Sequence, residues 1–185
     1  MRPTVKSALI ALLCLGIPLT AMAQSKMLET FETAPETRWR FFTDTVMGGV
    51  SQGELDFLRE GGKTHARLTG TVSTANNGGF IQMRTDLSAP PPDDATGLRL
   101  VLRGNDQRYF VHLRTGGTVL PWQYYQAGFH APPEWTEIRL PFTAFEPSGR
   151  LLRGTPRIAG IKSVGIVAFG RDHEAEIDLR EVGFY

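Results

Sequence analysis

The chain has a single cysteine in 185 residues, Cys14, and this scarcity excludes several kinds of chemistry. Cys14 lies in an apolar N-terminal stretch and follows two leucines, which is not the small-residue context of a lipoprotein cleavage site. With no second thiol, the chain forms no internal disulfide, thiolate metal site or cysteine nucleophile beyond this stretch. Stability must therefore come from a packed core.

Long apolar runs are also scarce, and the longest lies at residues 8–19 and contains a proline. Arg2 and Lys6 precede this run, and Ala-Met-Ala at 21–23 follows it, which is the pattern of a signal peptide and its cleavage site. We therefore expect residues 1–23 to be a signal peptide and residues 24–185 to form one exported domain, periplasmic or extracellular. No later segment approaches the ~20 apolar residues of a membrane span, so we expect none after cleavage.

An excess of either charge is lacking as well. Two of the 20 basic residues lie in the expected signal peptide, which leaves 18 against 19 acidic residues. This balance gives no indication of a nucleic-acid partner. The four histidines lie far apart without metal-ligand spacing, so we predict no transition-metal site and no cofactor. A structural calcium held by oxygens such as those of Asp86, Asp93 and Asp94 remains an alternative.

Short alternating segments dominate the rest of the sequence. Leucines at 98, 100 and 102 alternate with polar or smaller residues, and Tyr-x-Val-x-Leu alternates over residues 109–113. Turn signals such as Asn-Gly, Gly-Gly and Pro-Pro separate about ten such segments, which include 39–42, 79–84 and 122–129. The pattern predicts an all-β fold, an antiparallel sandwich or jelly roll in a single domain, with a short turn near 142–145. Trp39 and Trp135 are expected in its core.

Two glycine-rich polar turns stand out among the strands. One is Asp-Thr-Val-Met-Gly-Gly-Val-Ser-Gln-Gly at 44–53, and the other is Asn-Asn-Gly-Gly-Phe at 76–80. Glycine pairs allow positive φ and expose backbone amides, and short polar side chains bind neighbouring backbone groups. The turns therefore either contact a partner or brace the fold.

The first turn also contains Gly-x-Ser-x-Gly around Ser51, the pattern of a serine hydrolase elbow. That mechanism needs a packed helix after the serine and an ordered histidine beside it. The residues that follow, Glu54–Glu60, alternate like a strand and then reach a glycine pair. A hydrolase that uses Ser51 is therefore the weakest alternative, and we predict that the protein is not an enzyme.

Aromatic and amide side chains alternate at Pro-Trp-Gln-Tyr-Tyr-Gln, residues 121–126. On a strand, Trp122 and Tyr124 project from one face, and an exposed aromatic with amide neighbours suits a sugar or a protein contact. The opposing interpretation is that both faces are covered by the core and by loops.

The two turns together resemble the signature of the complex I intermediate-associated protein 30 family. The resemblance continues through residues 104–109, Tyr125 to Phe129, and the Trp-Thr-Glu-Ile-Arg-Leu-Pro-Phe segment at 135–142, so it covers about residues 27–185. It implies a galactose-binding-like jelly-roll β-sandwich and, for the mitochondrial members, a non-enzymatic role in assembly of respiratory complex I. Mitochondrial transit peptides are rich in arginine, and the expected signal peptide differs from them in this respect.

We therefore hypothesise an exported, non-catalytic binding or assembly-factor-like module for a protein or glycan partner, with a carbohydrate-binding module as an alternative. The candidate binding residues are Asp44, Met47, Gly48, Gly49, Ser51, Asn76, Asn77, Gly78, Gly79, Trp122 and Tyr124. In the competing hypothesis the turns only brace the sandwich, Met47 packs inward, Gly48 and Gly49 adopt special conformations, and Asp44 and Asn76 bind loop amides. Convergence of Asp44, Ser51, Asn76 and Trp122 on one concavity would favour binding.

Overall fold

The computed structural model describes residues 26–185, so the expected signal peptide lies outside the described residues. These residues form twelve strands: β1 (Lys26–Glu29), β2 (Trp39–Thr43), β3 (Gln52–Glu60), β4 (Lys63–Val72), β5 (Phe80–Asp86), β6 (Gly97–Gly104), β7 (Gln107–Thr115), β8 (Tyr125–Ala131), β9 (Thr136–Pro141), β10 (Glu146–Pro147), β11 (Ile161–Phe169) and β12 (His173–Phe184). Short 3-10 helices lie between them at Pro35–Thr37, Asp44–Met47, Ala75–Asn77, Phe142–Ala144 and Ile158–Gly160. Within residues 26–185, no helix has the length and apolar character needed to cross a membrane.

The strands form two antiparallel sheets of six strands each. The first sheet has the order β3-β4-β12-β6-β9, and β1 pairs with the end of β12 beyond β4. The second sheet has the order β10-β8-β7-β11-β5-β2. Most neighbours in this order are distant in sequence, as expected for a jelly roll rather than for a simple series of hairpins. The predicted antiparallel sandwich is therefore confirmed.

The core lies between the two sheets, because alternate residues of each strand point inward. On β7, Tyr109, Val111 and Leu113 are fully buried, and on β6 the leucines at 98, 100 and 102 are buried as well. Trp39 is the largest fully buried side chain, as expected from the sequence. Burial of this apolar surface supplies the main stabilising term in a chain without disulfides.

The outer face of the first sheet is covered by paired charges. Asp178 is buried there and accepts hydrogen bonds from Nε of Arg67 at 2.7 Å and Nε of Arg103 at 2.8 Å. Trp135 was expected in the core, but it is only partly buried on this outer face, and the guanidinium of Arg180 lies 3.7 Å from its ring centroid. Asp178 therefore satisfies the two arginines beside it.

One strand begins later than the sequence suggested. Residues 122–124 precede β8 because the Oε1 atom of Gln123 accepts hydrogen bonds from the backbone N–H groups of Val119 and Leu120. These bonds close a turn in place of a sheet ladder. The expectation that Trp122 and Tyr124 lie together on one face of a strand was therefore wrong.

Candidate functional site

Asp44 is the centre of a buried cluster that joins the two glycine-rich turns. It has no exposed surface, and its Oδ1 accepts the N–H of Ser51 at 3.0 Å. Its Oδ2 accepts the hydroxyl of Ser51 at 2.5 Å, the N–H of Gly79 at 2.5 Å and the N–H of Phe80 at 3.2 Å. We call these four residues the Asp44 cluster. The carboxylate thus holds β2, β3 and β5 together where their connecting turns meet.

The hydrogen bonds decide the ionisation of Asp44. Burial alone would raise the pKa of its carboxyl group, but the bonds donated by Gly79, Ser51 and Phe80 outweigh burial and lower the pKa. The carboxylate therefore stays charged at neutral pH, and its accepting positions are filled by the protein itself.

The glycines of the two turns are required for two different reasons. Gly48 has φ of +88°, with open space around a Cβ, so its conformation is the constraint. Gly49 and Gly78 pack against the Asp44 side chain, and a Cβ at either position would overlap with it. Gly79 has φ of +125° and is also buried. Gly49 was expected to need a special backbone conformation, but it is required because there is no room for a Cβ beside Asp44.

The other residues of these turns point away from the cluster. Met47 is 60% exposed, so the inward packing expected of it in the bracing hypothesis was wrong. Asn76 and Asn77 are exposed with φ of 58° each, a left-handed conformation that asparagine tolerates. No side-chain hydrogen bond joins Asn76 to another of residues 26–185, so its expected role in binding loop amides has no support in the structure.

Trp122 does not converge with the turns. Asp44 follows β2 at the end of the second sheet where β5 and β7 begin, whereas Trp122 follows β7 at the opposite end. Trp122 is 65% exposed, while Asp44 and Ser51 are buried. The four residues chosen as the discriminating set thus share no concavity, and we interpret Asp44 and Ser51 as residues that brace the fold.

Ser51 has no arrangement for nucleophilic catalysis among the described residues. Its hydroxyl donates to the Asp44 carboxylate and accepts the N–H of Ser73 at 3.0 Å, and the residue is 1% exposed. No histidine of residues 26–185 hydrogen-bonds to it. A nucleophilic serine needs a base and access to substrate, and this serine has a buried carboxylate in their place.

A second candidate site lies on the outward-facing side of the second sheet. Strand alternation places aromatic, amide and guanidinium side chains there, and none of them belongs to the apolar core. We call this surface the aromatic face and define it by Arg40, Phe42, Phe80, Gln82, Arg84, Arg108, Phe110, His112, Arg114, Tyr124, Gln126 and Phe169.

Aromatic rings on this face contact one another across strands. Tyr124 stacks on His112 with ring centroids 4.0 Å apart and an angle of 11° between the planes. Phe169 meets the rings of Phe110 and His112 edge to face, at 6.0 and 5.7 Å between centroids. The guanidinium of Arg108 lies 5.1 Å from the Phe110 ring centroid. The rings are therefore held in place before any ligand arrives.

The middle of the aromatic face is lined by small residues. The central strand β11 turns Ser163, Gly165 and Val167 outward, and all three are buried beneath longer neighbouring side chains. Gly165 lies in register between Arg84 on β5 and His112 on β7, so the backbone is the floor between these two side chains. We call this row of small residues the trough; longer side chains around it, Gln82 among them, cover its floor.

His112 is neutral in this trough. Burial lowers its pKa to about 4, and its Nε2 atom has no hydrogen-bond partner among the described residues. The ring is buried and stacks on Tyr124, so His112 holds the tyrosine in position on the face.

Of this face, the sequence predicted Tyr124 as a candidate binding residue; Phe80 and Gln126 appeared only within motifs. The signal for the rest is present in β7, where both sets of alternate residues contain rings: Tyr109 inside, and Phe110 and His112 outside. A half-exposed strand ordinarily alternates apolar with polar residues. Aromatic residues on both faces therefore indicate an outer surface with a role beyond solvation.

The described residues contain no group of three or more His, Cys, Asp or Glu side chains arranged to hold a metal ion. Of the residues considered for calcium, Asp86 forms an ion pair with Arg40 at 3.1 Å, and Asp93 and Asp94 are exposed in a loop.

The sequence matches the family model described as complex I intermediate-associated protein 30 over residues 29–180. The chain belongs to this family. The sequence prediction of the family is thus confirmed. A comparison with curated proteins returned no match.

Solved structures similar to this family member include carbohydrate-binding modules. A family 11 module from Clostridium thermocellum, solved in complex with a β-1,3-1,4-mixed-linked tetrasaccharide, has a TM-score of 0.69 and 14% identity, with 86% of this chain and 94% of that chain covered. A family 30 module of a cellulosomal cellulase from Clostridium thermocellum has a TM-score of 0.53 and 8% identity, with coverage of 74% and 90%. An exo-β-agarase has a TM-score of 0.59 and 8% identity, with 87% of this chain but 25% of that chain covered.

These likenesses concern the fold, since the identities are low. They confirm the predicted galactose-binding-like jelly-roll β-sandwich.

Proposed function

We propose that the protein is an exported, non-catalytic binding module that holds a glycan on the aromatic face. The observation that carries the proposal is the pairing of pre-positioned rings with amide and guanidinium groups around a trough of small residues. One side of a pyranose ring presents C–H groups that pack on aromatic rings, and its hydroxyls lie at the rim within reach of planar donors and acceptors. The aromatic face provides both kinds of contact.

The contrast between the two sheets supports this choice of surface. On the first sheet, Asp178 neutralises Arg67 and Arg103, and Arg99 pairs with Glu137 at 2.7 Å. Among the described residues, the arginines of the aromatic face form one such pair, between Arg40 and Asp86. The similar module with a bound tetrasaccharide supports a glycan as the ligand class, although its likeness lies in the fold.

A binding role without catalysis agrees with the positions of the carboxylates. The six strands of the second sheet contain two acidic residues, Asp86 on β5 and Glu146 on β10. Four strand spacings separate β5 from β10, which corresponds to about 19 Å. Glycosidases place their two carboxyl groups about 5–10 Å apart. The sheet therefore lacks the pair that hydrolysis of a bound glycan would require.

A protein partner is the second candidate, and one specific surface favours it. Apolar side chains are exposed on the loop before β8 and on the loop after β10, where Val119 is 81% and Leu151 is 87% exposed, close in the chain to Trp122 and Ser148. The Ser148 hydroxyl donates to the Trp122 carbonyl, so the two loops are in contact. An exposed apolar patch of this kind is typical of a protein interface.

Affinity electrophoresis through gels that contain soluble polysaccharides tests the glycan proposal. We expect the protein consisting of residues 24–185 to be retarded by at least one polysaccharide, and Phe110→Ala to weaken binding about tenfold or more because a stacking surface is lost. Leu58→Ala, which truncates a partly exposed apolar side chain of the first sheet, is the matched control and should bind like the wild type. Thermal melting of each variant shows that it is folded.

Two results would contradict the proposal. Retardation that is unaffected by Phe110→Ala would place the ligand elsewhere. If no polysaccharide retards the protein, the glycan proposal is wrong. A protein partner that binds the exposed loop patch is then the better candidate.

A further inference from the structure

Four arginines lie on the aromatic face, and three of them lack a carboxylate partner within residues 26–185. Arg40 pairs with Asp86 at 3.1 Å. By contrast, Arg84, Arg108 and Arg114 have no carboxylate oxygen within 4.0 Å among the described side chains. The described chain as a whole carries slightly more acidic than basic residues. Three of the four guanidinium charges on this face are therefore without a paired carboxylate among the described residues.

The arrangement of the arginines opposes the stability of the sheet. Arg40 lies directly opposite Arg84 on neighbouring strands, and like charges in this relation are destabilising. Arg84 is half-buried, and its guanidinium lies 4.3 Å from the Phe42 ring centroid. Burial lowers the pKa of Arg84, and the neighbouring charges of Arg114 and Arg40 lower it further, while only Asp86 opposes them. A cation in this position is short of a counter-charge.

The side chain of Arg114 is fixed by a hydrogen bond beside the trough. Its guanidinium donates to the backbone carbonyl of Leu120 at 3.1 Å, which fixes the side chain against the loop without neutralising its charge. Arg114 lies opposite Ser163 in the register of β7 and β11, one row along the sheet from Gly165 and Arg84. Arg84 and Arg114 thus lie on the two strands that flank β11, whose outward residues are small.

We propose that the glycan bound on the aromatic face is anionic, and that its carboxylate or sulfate groups pair with Arg84 and Arg114. This inference rests on the proposed function. A guanidinium presents planar N–H donors that match the oxygens of a carboxylate or a sulfate in two parallel hydrogen bonds. The anion supplies the counter-charge that the face lacks, while the sugar rings stack on the neighbouring aromatic side chains.

Titration calorimetry with defined oligosaccharides tests this inference. The probes are oligogalacturonate for carboxylates, a sulfated carrageenan oligosaccharide for sulfates, and a neutral mixed-linked β-glucan oligosaccharide. We expect an anionic probe to bind at least about tenfold more tightly than the neutral one, since hydrogen bonds to charged groups are the stronger kind. Its affinity should also fall as salt is added.

The variants separate a specific site from general attraction. Arg114→Gln should weaken binding of the anionic probe about tenfold or more and leave the neutral probe unchanged, and Arg114→Lys should recover part of the loss. Arg84→Met, which keeps an apolar chain over Phe42, should have the same effect as Arg114→Gln. Arg59→Gln, which removes a charge from the first sheet, is the matched control and should change neither affinity.

The outcomes distinguish the two proposals. Preference for oligogalacturonate or for the sulfated probe supports the inference and identifies the anion. Binding of the neutral probe alone overturns the inference but leaves the proposed function intact. Equal losses in Arg59→Gln and Arg114→Gln would reduce the effect to net charge and overturn the site. Binding of none of the probes, together with no retardation by any polysaccharide, would overturn both proposals.

Discussion

The Asp44 cluster gives the sharpest test of how this fold is held together. Substitution Asp44→Asn changes one oxygen into an NH₂ group and removes the charge, with almost no change in shape. We expect it to lower the free energy of unfolding substantially, because the carboxylate accepts four hydrogen bonds and has no exposed surface.

The magnitude follows from the geometry. Asparagine can keep its single oxygen at the Oδ2 position, where it accepts three of the four bonds, but its NH₂ group then faces the N–H of Ser51. A buried donor left unsatisfied costs about 1–3 kcal/mol. The three remaining bonds lose their charge assistance, at up to about 1 kcal/mol each. The sum is about 1–6 kcal/mol, against the ~5–15 kcal/mol typical of a domain.

Urea unfolding measures this loss, monitored by tryptophan fluorescence, to which the buried Trp39 contributes. Asp56→Asn is the matched control, since Asp56 is exposed on β3 and makes no side-chain hydrogen bond among the described residues. We expect it to change stability by less than about 0.5 kcal/mol.

Comparing the stabilities of wild type and Asp44→Asn at acidic pH tests whether the charge of the Asp44 carboxylate is the cause. The folded-state pKa of Asp44 is lowered, so its contribution is present above the unfolded pKa of about 3.9 and is lost as pH falls through the folded value. The difference between wild type and Asp44→Asn should therefore narrow in strong acid. An Asp44→Asn protein as stable as wild type at neutral pH, or a difference independent of pH, would refute this account of the cluster.

Two further predictions concern single residues. Gly49→Ala should destabilise the protein by about 2–4 kcal/mol because a Cβ overlaps with the Asp44 side chain, whereas Gly48→Ala, in open space at φ of +88°, should cost only about 1 kcal/mol. Equal thermal shifts in both variants would show that the distinction is wrong. The lowered pKa of His112, about 4, means that the unfolded chain binds a proton more readily than the folded one, so stability should fall by up to about 3 kcal/mol as pH drops from about 6.5 to about 4. His112→Gln should show a smaller fall in the same denaturation series, and an unchanged fall would assign the pH dependence to other groups.

Much of the strand pattern could be predicted from the sequence. The segments 98–103, 109–114 and 39–42 lie within β6, β7 and β2, because side chains of a strand alternate between two faces and the hydrophobic pattern records that alternation. The prediction was wrong at residues 122–124, where a side-chain hydrogen bond from the turn to Gln123 competes with the ladder. Such a bond depends on residues four positions apart in a specific turn, and the alternation of apolar and polar residues does not predict it.

The glycine-rich turns and the aromatic face differ in how much of each could be predicted from neighbouring residues in the sequence. The glycine-rich turns were recognisable as special because they concentrate residues that tolerate unusual backbone geometry. Whether they bind or brace could not be read from them, since the answer lies in a hydrogen bond between Asp44 and Gly79, 35 positions apart. Trp135 was misplaced for a related reason: a strand pattern shows two faces but does not say which one meets the core.

The sequence by itself determined the family, the antiparallel strands and the two glycine-rich turns, because these depend on motifs, on alternation and on backbone conformations that neighbouring residues set. Only the tertiary structure decided that Asp44 is enclosed and that Arg84, Gly165 and His112 stand in one row. That row joins β5, β11 and β7, whose order in the sheet differs from their order in the chain. A surface assembled from strands so distant in sequence exists only once the sheet has formed, and its charge and aromatic content are properties of that assembly.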